Sequence, residues 1–159
     1  MLFRSAFTDE SLTSWSTLYG MVGPNGTAKR KRSLSVGGKG YELWPDLKVD
    51  PRDLIVEKNR YSAFIQGSSD LEAVLRQRGL DTLLITGTVT NVCCESTARD
   101  AMMRNFKTIM VTDGNAANTD EDHNAALANF YLTFGDIMST DFAIGCLRRN
   151  ATKTLTAAE

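Results

Sequence analysis

One alternation constrains this chain more than any other feature. Thr82-Leu83-Leu84-Ile85-Thr86 and Lys107-Thr108-Ile109-Met110-Val111-Thr112 are short apolar runs with the composition of buried strands. The residues between them carry a helical pattern from about Cys93 to Arg104. Two strands joined through a helix make a right-handed βαβ unit, with parallel strands whose faces need helical cover. The same alternation continues on both sides. Upstream, Leu54-Ile55-Val56-Glu57-Lys58 reads as a strand, and Ser69-Asp70-Leu71-Glu72 matches a capping box. That box opens a helix with Leu71, Val74 and Leu75 on one face, closed by Gly79. Downstream, Asp113-Gly114-Asn115 reads as a turn, and Thr119 or Asp120 caps a helix that runs to Phe134 and stops at Gly135. The strand Ile137-Met138-Ser139 and a short helix from Asp141 to Cys146 follow. The expected architecture is α/β, a parallel sheet covered by helices, in a single domain of 159 residues.

The ends read differently. Leu2-Phe3 is too brief for an independent strand, and residues 20–40 hold half of the glycines plus Pro24. Residues 1–40 are therefore expected to be irregular and loop-rich, and residues 148–159 to form a frayed tail. Lys29-Arg30-Lys31-Arg32 reads as a solvated loop cluster, because a net charge of −1 gives no overall attraction to nucleic acid. Gly37-Gly38-Lys39-Gly40 lacks the spacing and the preceding strand of a phosphate loop. No apolar run approaches the ~18 residues of a membrane span, and Met1 does not open a signal-peptide pattern. Three cysteines, two of them adjacent, make a poor disulfide framework and fit a reducing cytoplasm. With one histidine there is no set for structural zinc or a catalytic metal, and no cofactor is expected.

The chemistry concentrates in Gly87-Thr88-Val89-Thr90-Asn91-Val92-Cys93-Cys94, a tight loop between strand and helix. A thiol at the start of a helix meets unpaired backbone N–H groups and the positive end of the helix dipole, which favour thiolate over thiol. Adjacent cysteines also serve as small buried apolar groups, and the loop around these is what points to a nucleophile. Lys58 stands where strand becomes loop. In parallel α/β sheets ligands gather at that end of the strands, although a lysine there also serves as a snorkelling surface residue. Lys58 and Cys93 fall at the same ends of strands expected to be neighbours, so both are candidates for one rim.

Val56-Glu57-Lys58-Asn59-Arg60-Tyr61-Ser62-Ala63-Phe64, together with Gly87 to Ala101, resembles the isochorismatase-like cysteine hydrolase family. That group includes nicotinamidases, N-carbamoylsarcosine amidases and ureidoacrylate amidohydrolases, and the likeness runs in order from about Gly40 to Asp141. The resemblance implies a three-layer αβα, Rossmann-like fold with strand order 3-2-1-4-5-6. It implies an Asp–Lys–Cys triad in which Cys93 is the nucleophile, Lys58 is the lysine, and Cys94 packs under the helix. It also implies a cis peptide between Thr88 and Val89, and an oxyanion hole built from the Val89 and Cys93 amides. Tyr61, Phe64, Arg60 and Asn91 become substrate-binding candidates; Phe64 serves equally in the core, and Arg60 equally in a salt bridge.

The activity so implied is cleavage of a C–N bond in a small amide or ureido/carbamoyl compound through a thioester, closest to the ureidoacrylate and N-carbamoyl branch. Nicotinamidases carry an Asp/His metal set not found here. The family aspartate ends a first strand that this sequence does not show. The chain reads as N-terminally truncated by ~50 residues, judged from the length of a βαβ unit, with reduced activity expected. The alternatives are an isochorismatase-type vinyl ether hydrolase, against which Cys93 counts, and a catalytically weak fragment retained for subunit association. A homo-oligomer, dimer or tetramer, is expected by analogy with the family.

Overall fold

The computed structural model describes the backbone of residues 1–156, and the side chains of those residues apart from Leu12 and 151–156. The chain divides into two compact units, Met1–Val74 and Leu75–Glu159. In the first, strand β1 (Leu2–Ser5) lies parallel to β2 (Ile55–Lys58), with Leu2 opposite Ile55 and Ser5 opposite Lys58. Leu2-Phe3 does not stand alone, as the sequence suggested, but it does pair. The Leu2 amide donates to Leu54 O at 2.8 Å, and the Ala6 amide to Lys58 O at 2.9 Å.

The irregular N-terminal stretch expected over residues 1–40 is largely helical. Helix α1 (Asp9–Ser14) starts at a reciprocal cap: the Thr8 side chain accepts from the Ser11 amide at 3.1 Å, and Ser11 Oγ accepts from the Thr8 amide at 2.8 Å. Helix α2 (Ser16–Leu34) then runs through the Gly/Pro-rich segment with a kink. Gly23 takes a φ of 68°, a conformation suited to glycine, so Gly23-Pro24 bends the helix where a loop was expected. Beyond the bend, Thr27 Oγ1 donates to Gly23 O at 2.8 Å, and the basic cluster supplies good helix formers. Lys31 and Arg32 stand in the last turn, where they complement the helix dipole, and Lys31 pairs with Asp9 at 2.5 Å.

The helix expected after Ser69 is α3 (Leu71–Gln77). Ser69 Oγ accepts from the Leu71 amide at 3.2 Å while donating to Ala63 O at 2.7 Å.

The second unit is a sheet of three parallel strands in the order β3 (Thr82–Thr88), β4 (Lys107–Ala116), β5 (Asp136–Met138). Helix α4 (Glu95–Met103) joins the first pair, and α5 (Asp120–Thr133) joins the second. Helix α6 (Thr140–Thr156) follows β5. It replaces both the short helix and most of the frayed tail expected there; residues 157–159 lie outside the described residues. The Thr140 amide and then its hydroxyl, at 2.7 and 2.8 Å, hold the Asp113 carboxyl below the usual carboxylate range and anchor the start of α6.

Asp113-Gly114-Asn115, expected as a turn, belongs to β4. The register between β3 and β4 shifts between Ile85 and Gly87, and pairing resumes at Gly87 with Asn115. The shift disturbs the ladder, and the Asn115 side chain repairs it by donating to Ile85 O at 2.9 Å and Val111 O at 2.7 Å.

Strands β2 and β3, expected as neighbours, belong to different sheets.

The core of the second unit gathers Cys94, Ala98, Met110, Leu127 and Phe130, with Ile85, Phe134 and Ile137 packed against them. Ala98 and Ala101 of α4 are fully buried. Arg99 pairs with Glu95 one turn earlier and stacks 4.0 Å over the Phe134 ring, linking α4 to the end of α5. Gly135 is required by contact: a Cβ there would overlap Thr108 O and the Phe130 ring. Phe130 is fully buried, so Phe130→Ala is expected to destabilise the protein by about 3–5 kcal/mol, measured as a shift of the urea midpoint at constant slope.

Candidate active site

The cysteine loop begins where β3 ends. Gly87 has a φ of 123°, which only glycine adopts readily, and the Thr88–Val89 peptide is cis. Thr90–Cys94 forms a single π-helical turn, and α4 continues from Glu95. The sequence predicted an α-helix from about Cys93. The wider turn instead directs both the Val92 and Cys94 amides to Val89 O, at 3.1 and 3.3 Å. Adjacent residues on such a turn point in different directions, and the two cysteines separate accordingly. Cys94 is 6% exposed and joins the apolar core, while Cys93 is half-buried with a free thiol. The packing role expected of Cys94 is the one it has. Thr97 Oγ1 donates to Cys93 O at 2.7 Å and ties the turn to α4. Val89 is half-buried and Asn91 exposed, so Thr88, Val89, Asn91 and Cys93 share one loop.

The other candidates share a loop in the first unit. Lys58 ends β2 and is 8% exposed, so it is not a snorkelling surface residue. Its Nζ donates to Arg60 O at 2.9 Å, and among the described residues it enters no ion pair. Arg60 is held by its surroundings: it donates to Asn59 O and Oδ1 at 2.9 and 3.1 Å and to Ser14 Oγ at 2.9 Å. Its guanidinium also lies 5.1 Å over the Trp15 ring. Trp15 in turn meets Tyr61 edge-on, with ring centroids 4.8 Å apart. Arg60 and Tyr61 thus fasten α1 and α2 to the lysine loop. Phe64 is 4% exposed, which favours the core role over a pocket wall.

Three serines shape this loop. Ser62 Oγ accepts from the Phe64 amide at 3.1 Å, Ser68 Oγ donates to Ser62 O at 2.8 Å, and Ser69 Oγ to Ala63 O. Among the described residues no three His, Cys, Asp or Glu side chains converge on a metal-sized site. Among the described residues no helix is long and apolar enough to cross a membrane.

Sequence reasoning missed two polar residues of the second unit. Asn115 supports the β3 bulge just before the loop. His123, the chain's single histidine, places Nδ1 2.8 Å from Thr90 Oγ1. Thirty-three residues separate that pair, and neither the helical pattern of α5 nor the loop composition signals it.

Residues 12–142 match the isochorismatase domain. The chain belongs to the isochorismatase family. Among curated proteins it is similar to ureidoacrylate amidohydrolase RutB of Pseudomonas savastanoi pv. phaseolicola, 42% identical over 109 residues, covering 68% of this chain and 44% of that protein. The corresponding protein of Methylobacterium radiotolerans is 39% identical over 116 residues, again covering 44% of its length. The chain therefore spans less than half the length of these relatives.

Among solved structures, a cysteine hydrolase from Pseudomonas syringae pv. phaseolicola 1448A superimposes with a TM-score of 0.76 at 30% identity, covering 89% of this chain and 68% of that one. N-carbamoylsarcosine amidase from Thermoplasma acidophilum gives 0.63 at 25% identity, covering 86% and 69%. The fold is isochorismatase-like, with parallel sheets flanked by helices.

Proposed function

We propose that the chain is a cysteine hydrolase that cleaves the C–N bond of a small amide or ureido/carbamoyl compound. The observation that carries this reading is the division of labour between two adjacent cysteines: Cys94 is sealed in the core, and the half-buried Cys93 keeps a free thiol on the loop after β3. The similarity to proteins named as ureidoacrylate amidohydrolase and N-carbamoylsarcosine amidase supports the substrate class. In the reaction, the Cys93 sulfur attacks the carbonyl carbon while the Val89 and Cys93 amides receive the developing oxyanion. The C–N bond breaks, the nitrogen leaves with the proton that came from the thiol, and water hydrolyses the thioester to release the acid and regenerate Cys93. Lys58, the triad lysine that the family resemblance implies, is the second residue of this chain assigned to the reaction.

A second reading has its own observation. The Lys58 ammonium enters no ion pair among the described residues, so the carboxylate that would take the thiol proton has no representative beside it. A chain in that condition is a weak catalyst retained for subunit association. Incubation with a panel of small amides and ureido acids, followed by peptide mass mapping, separates the two. The first reading expects an acyl group on the Cys93 peptide that hydroxylamine removes, with amine or ammonia released. An unmodified Cys93 and no released amine across the panel leave the second.

A further inference from the structure

The chain's single histidine takes no part in the reaction proposed above. His123 lies in the second turn of α5, half-buried, with its Nδ1 2.8 Å from Thr90 Oγ1. Thr90 is fully buried, so its hydroxyl has no access to water and depends on a partner inside the protein. Thr90 also opens the π turn that carries Cys93 three residues later. The far end of that turn is held from α4, through the Thr97 hydroxyl on Cys93 O at 2.7 Å. The near end is held from α5, through the imidazole.

We propose that His123 is a positioning residue for Cys93: by holding Thr90 it fixes the near end of the turn, and with it the sulfur and the Val89 and Cys93 amides. The proposal rests on Cys93 as the nucleophile. His123 acts through Thr90 and touches no reacting atom. Its contact does not depend on its charge. A neutral ring accepts the Thr90 hydroxyl proton at Nδ1, and a charged ring donates from Nδ1 to Oγ1. A histidine that only satisfied a buried hydroxyl would affect stability and leave the reactivity of Cys93 alone, so the two roles are separable.

The test uses the full chain and two readouts. One is the rate of Cys93 alkylation by iodoacetamide, resolved from Cys94 and Cys146 by peptide mass and followed across pH. The other is kcat and KM on the best substrate of the amide panel. His123→Ala is expected to lower both alkylation and kcat by roughly 10-fold or more, with KM little changed. His123→Asn places an amide atom where Nδ1 stood and is expected to recover both to within about threefold. His123→Gln, which reaches only the Nε2 position, is expected not to. Thr90→Val is expected to match His123→Ala, and the double variant to be no worse than either single one. Should His123→Ala not fold, Thr90→Val carries the test, since it keeps the shape of Thr90 and strands no buried hydroxyl.

A folded His123→Ala or Thr90→Val with parental alkylation and kcat overturns the proposal, as does an Asn variant as slow as the Ala one. If no variant, nor the parent, hydrolyses any amide while alkylation follows the series, the positioning role stands and the proposed activity falls. If the parent hydrolyses amides and the series is flat, the activity stands and the positioning role falls.

Discussion

Cys93→Ala is expected to lower kcat/KM for amide hydrolysis by about 10⁴-fold or more, because the loop's other thiol, Cys94, is sealed in the core and cannot form the thioester in its place. Its stability is expected to change little, since the side chain is half-buried and lies outside the apolar core. Cys94→Ala reverses the pattern. Cys94 is 6% exposed and packs with Ala98, Met110, Leu127 and Phe130, so shortening it opens a small void and costs about 1 kcal/mol, while turnover persists. Measuring kcat/KM and the urea midpoint on both variants gives a crossed result. Equal losses of activity, or a Cys93→Ala protein that still turns over, would assign the chemistry elsewhere and remove the proposed mechanism.

That crossing also marks how far the sequence could be read. Two neighbouring cysteines after an apolar strand announce a functional loop, but which one faces outward depends on how the chain turns, and a π turn has no sequence signature comparable to a capping box. The strands at 55, 82, 107 and 136 were legible because apolar residues bounded by glycine and charge mark buried parallel strands. The extension of β4 through Asp113-Gly114-Asn115 was not. It depends on a register shift in the partner strand and on the Asn115 amide closing the gap, both long-range events that local turn chemistry contradicts. Helix α2 misled for a related reason: Gly23-Pro24 is a terminator by composition, yet a single left-handed glycine turned it into a kink. That Lys58 ends a strand and that Cys93 lies on the loop after another was legible from the sequence. The ring that holds the Cys93 loop, His123, was not, because a hydrogen bond across 33 residues leaves no periodicity.

Lys58→Met is expected to separate activity from stability more sharply than any other substitution. Lys58 is 8% exposed, and of its three N–H donors one reaches Arg60 O at 2.9 Å; among the described residues no carboxylate pairs with it. Burying an ammonium on these terms costs free energy that one carbonyl does not return. Methionine keeps the length and flexibility of the chain without the charge. The variant should therefore gain on the order of 1 kcal/mol, read as a rise in Tm of about 2–4 °C. If Lys58 takes part in catalysis, as the family resemblance implies, the same variant should lose kcat/KM by about 10²–10³-fold, the scale on which a single electrostatic contact is removed from an active site. Lys58→Arg retains a positive charge but not the compact ammonium, and the broad planar guanidinium is expected to recover little of the rate. A Lys58→Met protein that is both less stable and fully active would instead make the lysine a strut for the Arg60 carbonyl. A buried charge that weakens the fold persists where something else requires it, and turnover is the requirement that this variant tests.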